Sequence, residues 1–99
     1  MPASYRVTAT GLARAQLLAL ASSSLYNSGQ KEMTRAMRQV VQRLAHTPRS
    51  VGDPLYTLRA AKLVVRSVSH ASLYIQYGVH ETEPLVIIRF VASFRGRVE

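Results

Sequence analysis

The chain has no cysteine and no tryptophan, carries only five acidic residues, and has no apolar stretch near the length of a membrane span. Without cysteine there is no disulfide framework, no thiol nucleophile and no cysteine-ligated zinc. A spanning helix needs about 18 consecutive apolar residues, so a transmembrane protein is not expected, and the lack of cysteine fits a cytoplasmic chain. Scarce acids remove paired-carboxylate chemistry: Glu32 falls at a helix start, Asp53 in a loop, Glu81 and Glu83 in a turn and Glu99 at the last position. Three scattered histidines, His46, His70 and His80, lack neighbouring carboxylates and make no metal-ligand pattern. No cofactor is therefore expected. A glycine-rich phosphate loop, a nucleophile elbow and a Ser, His and Asp arrangement are missing too. Ala15 to Ala21 imitates the apolar core of a secretory leader, but Gln16 interrupts it and the preceding residues alternate like a strand, so a helix of the folded domain is expected.

What the chain does have is positive charge. Thirteen lysines and arginines, nearly all arginine, give a net charge of +8 over 99 residues. The planar guanidinium matches phosphate, which puts nucleic acid ahead of an anionic membrane surface or an acidic protein as partner; charge for solubility alone is the competing explanation. At 47% hydrophobic, residues 1–99 make one domain around one modest core.

Ser4 to Thr10 alternates, with Tyr5, Val7 and Ala9 on one side, the period of a half-buried strand. Leu12 to Tyr26 is rich in alanine and leucine, and Leu17, Leu18, Leu20 and Leu25 are available for a buried helical face. Asn27, Ser28 and Gly29 supply the stop. From Gln30 to His46, Met33, Met37, Val40, Val41 and Leu44 recur mostly at spacings of three and four, which predicts a second amphipathic helix. Pro48 to Pro54 reads as a loop. Beyond it, Leu55 to Val68, Leu73 to Val79 and Leu85 to Phe94 read as strands, the last two joined by a turn at Glu81 to Pro84. The expected fold is α+β in the order β, α, α, β, β, β, with a helical hairpin on one face of a small, mainly antiparallel sheet.

Within those strands stand Arg59, Lys62, Arg66 and Arg89. An unpaired cation is costly to bury, so an anion is expected to meet them. Residues an even number apart share a strand face, which pairs Lys62 with Arg66 and leaves Arg59 opposite unless a bulge intervenes. Arg89 shares its parity with Leu85, Ile87 and Val91, a mixed face. Such a set either clamps a phosphate and stabilises charge developing during phosphodiester cleavage, or decorates the solvated side of a sheet whose other side meets the helices. Tyr74 and Tyr77 fall on opposite faces of one strand; either can stack on a base or donate a proton, and Tyr77 is expected in the core.

The order of elements, together with the runs Gly52-Asp53-Pro54-Leu55-Tyr56-Thr57-Leu58-Arg59, Leu73-Tyr74-Ile75-Gln76-Tyr77-Gly78-Val79 and Val86-Ile87-Ile88-Arg89-Phe90-Val91, resembles the RelE/ParE toxin superfamily over nearly the whole chain. The resemblance implies a toxin of a type II toxin-antitoxin system. RelE-type members cut messenger RNA in the ribosomal decoding site with basic side chains from the second and later strands and little classical acid and base machinery; by position, Arg59, Lys62, Arg66 and Arg89 stand in the catalytic role. It also implies an antitoxin partner, acidic or amphipathic, that wraps the domain. Two departures point elsewhere. Tyr74-Ile75 stands where many members have arginine, and Arg95 and Arg97 follow Phe94 where a tyrosine or histidine often stands. ParE-type relatives inhibit DNA gyrase, so a gyrase-directed or noncatalytic binding protein on the same fold is the alternative.

Overall fold

A computed structural model describes residues 4–22 and 27–93. The chain begins with strand β1 (Arg6–Ala9), followed by helices α1 (Gly11–Ala21) and α2 (Asn27–His46) and strands β2 (Asp53–Leu58), β3 (Leu63–His70), β4 (Leu73–His80) and β5 (Leu85–Ser93). The five strands form one sheet in the order β1-β5-β4-β3-β2, parallel between β1 and β5 and antiparallel elsewhere. The α+β class, the helical hairpin and the mainly antiparallel sheet agree with the sequence reading. The stretch from Leu55 to Val68 differs, because it is two strands joined by a turn at residues 59–62. That turn is Arg-Ala-Ala-Lys, without the glycine, proline, asparagine or aspartate that would announce it. Lys62 adopts φ 55°, unusual for a residue with a Cβ, and its N–H donates to the Arg59 carbonyl at 3.1 Å.

Helix α1 starts at Thr10, whose extended backbone and side chain cap the amide of Ala13 at 3.1 Å. Ala13 is buried, and Leu17 and Leu20 pack against the core from the same stripe. Leu18, expected on the buried face, is 68% exposed, because one residue turns a helix by about 100° away from the stripe that Ala13, Leu17 and Leu20 define. The helix ends where the Ser22 amide and hydroxyl both bond the Leu18 carbonyl, before the expected stop; Asn27 to Gly29 instead open α2. Leu25 and Tyr26 lie outside the described residues. Gln16, the residue that interrupts the apolar run, accepts a hydrogen bond from the Val91 amide at 2.8 Å, satisfying β5 beyond the last residue of β1.

The core lies between the helices and one face of the sheet. Ala36, Val40 and Leu44 of α2 are buried there with Leu73, Ile75, Tyr77 and Val79 of β4 and Val86, Ile88 and Val91 of β5. Met33, Met37 and Val41, together with Tyr5 and with Val7 and Ala9 of β1, complete it from the sides, as their periodicities predict. Pro54, expected to end a loop, lies in β2, which tolerates proline because it is an edge strand. Just before it, Gly52 has φ +68°, and a Cβ there would lie 2.0 Å from the Ser67 carbonyl oxygen. Gly52→Ala is therefore expected to cost about 2 kcal/mol or more, read as a lower midpoint in chemical denaturation; an unchanged midpoint would contradict this close approach.

Candidate functional site

Strand alternation assigns the polar candidates to faces. Leu73, Ile75, Tyr77 and Val79 point to the helices, so Tyr74, Gln76, Gly78 and His80 lie on the opposite, outer face. The β4–β5 register shifts there: Gln76 pairs with Phe90 and Tyr77 with Ile88, leaving Arg89 as the extra residue of a bulge. This explains the mixed face predicted for Arg89. Val91 turns inward to the core, while the Arg89 side chain reaches Tyr56, whose hydroxyl accepts from Nη1 at 3.2 Å.

The Arg89–Tyr56 bond spans the sheet. Tyr56 stands on edge strand β2 opposite Val65, which pairs with Gly78 and so with Ile87 of β5. Three strand spacings, about 14 Å of sheet, are bridged by two long side chains. Val65 is fully buried in this row and Leu63 nearly so, although neither belongs to the core under the helices. Leu63 leans over Gly78, where an added Cβ would sit 3.1 Å from its Cδ1. Beside this row Tyr74 and Phe90 pack edge to face, with ring centroids 6.2 Å apart, and Gln76 Nε2 donates to the Tyr74 hydroxyl at 3.0 Å. The outer face is thus a small apolar floor with a guanidinium, two phenols, a phenyl ring and an amide around it.

The four predicted cations do not form one cluster. Arg59 and Lys62 are exposed in the β2–β3 turn at the end of the sheet, and Arg89 is at the middle of β5. Lys62 and Arg66 do not share a strand face, because Lys62 belongs to the turn and parity cannot be counted through it. Arg66 pairs with Tyr77 in the ladder and lies on the helix side. Its Nε donates to the Val51 carbonyl at 3.2 Å and its Nη2 to that of Gly52 at 2.9 Å. The Tyr77 hydroxyl donates to the carbonyls of Pro48, at 3.0 Å, and Val51. Arg66 is a clamp on the loop before β2, with backbone carbonyls in place of an external anion.

Among the remaining groups, the His80 Nδ1 accepts from the amides of Thr82 and Glu83 and fixes the β4–β5 turn. His70 bonds Gln39 of α2. Among the described residues, no group of three or more His, Cys, Asp or Glu side chains comes together to hold a metal. A shallow cleft at the sheet edge is lined by Arg43, Gly52, Asp53, Ser67, Val68 and Ser69, with one cation and one carboxylate among them. Arg95 and Arg97 lie outside the described residues.

Neither a protein-family model nor a curated protein matches the chain. Among solved structures, it is similar to a chain in the crystal structure of the RelBE2 toxin-antitoxin complex from Mycobacterium tuberculosis, with a TM-score of 0.61, 23% identity and 91% of each chain covered. The fold is RelE/ParE-like. On this RelE/ParE-like sheet the outer face bears Arg89, Tyr56, Tyr74, Gln76 and Phe90. Sequence reasoning had Arg89 and Tyr74 but missed Tyr56, because the turn that separates β2 from β3 carries no signal. Gln76 and Phe90 were placed in their strands without a role; the alternation of Tyr74, Gln76 and Gly78 was the available signal for the amide. Among the described residues no helix is long and apolar enough to cross a membrane.

Burial pushes the Tyr77 phenol above its ordinary value of 10.0, against an opposing pull from Arg66. The folded state therefore holds this proton to higher pH than the unfolded chain does. Its stabilising contribution is fully present below about pH 10 and is lost as pH rises through the raised value. Tyr77→Phe is expected to cost about 1–3 kcal/mol at neutral pH and to flatten the decline in stability above about pH 10, measured by denaturant titration across pH; an unchanged alkaline slope would refute the assignment. Arg66→Ala is expected to destabilise by about 1–3 kcal/mol, whereas Arg59→Ala stays within about 0.5 kcal/mol of the parent. Equal losses would place Arg59 in the structural framework too.

Proposed function

We propose that this chain is the toxin-like member of a toxin-antitoxin pair and acts on RNA through the outer face of its sheet, as a metal-independent endoribonuclease. The Arg89–Tyr56 pair carries the reading. A bulge turns one guanidinium toward a phenol on the face that the helices leave uncovered, in a chain of net charge +8. The Tyr56 bond uses one of the five N–H donors of the guanidinium. A phosphate received by the others would meet a fixed positive charge, and the adjacent hydroxyl supplies a further donor. Both then stabilise the charge that builds on the nonbridging oxygens as a phosphodiester is attacked. Arg59 and Lys62, exposed at the hairpin tip, add positive potential along which the RNA backbone is held. Arg66 has no part in this site.

The fold likeness to a chain from a toxin-antitoxin complex supports an antitoxin as protein partner, and the charge of this chain favours an acidic one. One observation favours the second reading, a gyrase-directed or noncatalytic binding protein. Among the described residues, no carboxylate or imidazole bonds to Arg89 or Tyr56 as a general base.

Induced expression is expected to arrest growth and to truncate translated messages, with Arg89→Ala relieving both and lowering cleavage by about a hundredfold or more. Mapping of RNA ends beside a supercoiling assay separates the readings. Intact RNA with inhibited supercoiling selects the gyrase-directed protein, and intact RNA with normal growth removes both toxin readings.

A further inference from the structure

We propose that Gln76 is the base-reading residue of the outer face and that it selects adenine in single-stranded RNA whose phosphate sits at Arg89. The inference rests on the RNA reading above and adds a sequence preference to it.

Gln76 stands directly across the ladder from Phe90, the residue after Arg89, and two positions from Tyr74 on its own strand. A nucleotide held by its phosphate at Arg89 therefore has its base against this group. The Tyr74 and Phe90 rings, 6.2 Å apart at an interplanar angle of 68°, form an apolar wall. Stacking on such a wall gives affinity for any base and favours the larger purine surface. Choice between purines falls to the amide. Its Nε2 donates one hydrogen to the Tyr74 hydroxyl at 3.0 Å, which restrains the amide and leaves the second hydrogen and Oε1 for a ligand. That donor and acceptor complement the N7 acceptor and N6–H donor of adenine; guanine presents two acceptors on the same edge and leaves Oε1 facing O6. Gly78, the next outer-face residue on β4, lies under the Leu63 side chain, so the floor between the amide and the Arg89–Tyr56 bridge is apolar.

The test is fluorescence anisotropy of the purified chain with labelled single-stranded RNA oligomers: oligo(A), oligo(C), oligo(U), and a mixed sequence with each adenine exchanged for guanine. Wild type is expected to bind the adenine oligomers about tenfold more tightly than the others. Gln76→Leu reduces that ratio to about twofold or less, and Gln76→Glu, which has no donor for N7, does the same while keeping a polar side chain of equal length. Circular dichroism confirms that each variant is folded. Wild-type binding without an adenine preference, or a preference that survives both substitutions, overturns the role of Gln76 and leaves the RNA reading standing. Failure of wild type to bind any of the oligomers overturns both.

Discussion

The arrangement of the sheet depends on the hydroxyl of one buried tyrosine. Tyr77 is fully buried at the centre of β4, and its phenol reaches the carbonyls of Pro48 and Val51 in the loop between α2 and β2. Arg66, beside it in the ladder, takes the carbonyls of Val51 and Gly52. A loop pressed onto a sheet carries backbone carbonyls away from water, and each left unpaired would cost as much as a lost hydrogen bond. Here two side chains from adjacent strands satisfy them. With the loop held, Gly52 can lie against the backbone of Ser67, and β2 begins at the next residue. Tyr56 is placed on the outer face by a clamp that works from the inner one.

The outer face has its own logic. An antiparallel sheet with helices on one side ordinarily leaves the other to water. Here Leu63 and Val65 are buried on that side by the strands' own side chains, with Tyr56 and Arg89 meeting above them. The bulge at Arg89 is what makes this arrangement possible. One extra residue in β5 allows Val86, Ile88 and Val91 all to face the core while Arg89 turns away from it. A regular strand would have sent Arg89 and Val91 to the same side. The same shift sets Phe90 across from Gln76 and beside Tyr74, so the cation and the aromatic wall come from one irregularity.

Much of this architecture was legible because it repeats locally. The stripe of Met33, Met37, Val40, Val41 and Leu44 identifies α2, and the alternation of Leu73, Ile75, Tyr77 and Val79 identifies β4 and its inward face. What was hidden lacked local chemistry. The turn at residues 59–62 is built from Arg, Ala, Ala and Lys, so β2 and β3 read as one strand, and Lys62 appeared to share a face with Arg66. Ser22 ends α1 by bonding Leu18, before the Asn, Ser and Gly that looked like the stop. Leu18, one of four leucines offered for burial, points to solvent because Ala13 fixes the buried stripe elsewhere.

The basic character of this protein, its α+β class, its helical hairpin and the tyrosine at its core follow from the residues and their spacing alone, since charge and periodicity are local properties. Tertiary structure decided what each cation does. Arg66 and Arg89 look alike in a strand pattern, but one meets the carbonyls of a folded loop and the other a phenol three strands away. A guanidinium's role is set by which acceptors come within about 3 Å of it, and those acceptors are brought there by register, bulge and loop closure, which no local window of residues contains.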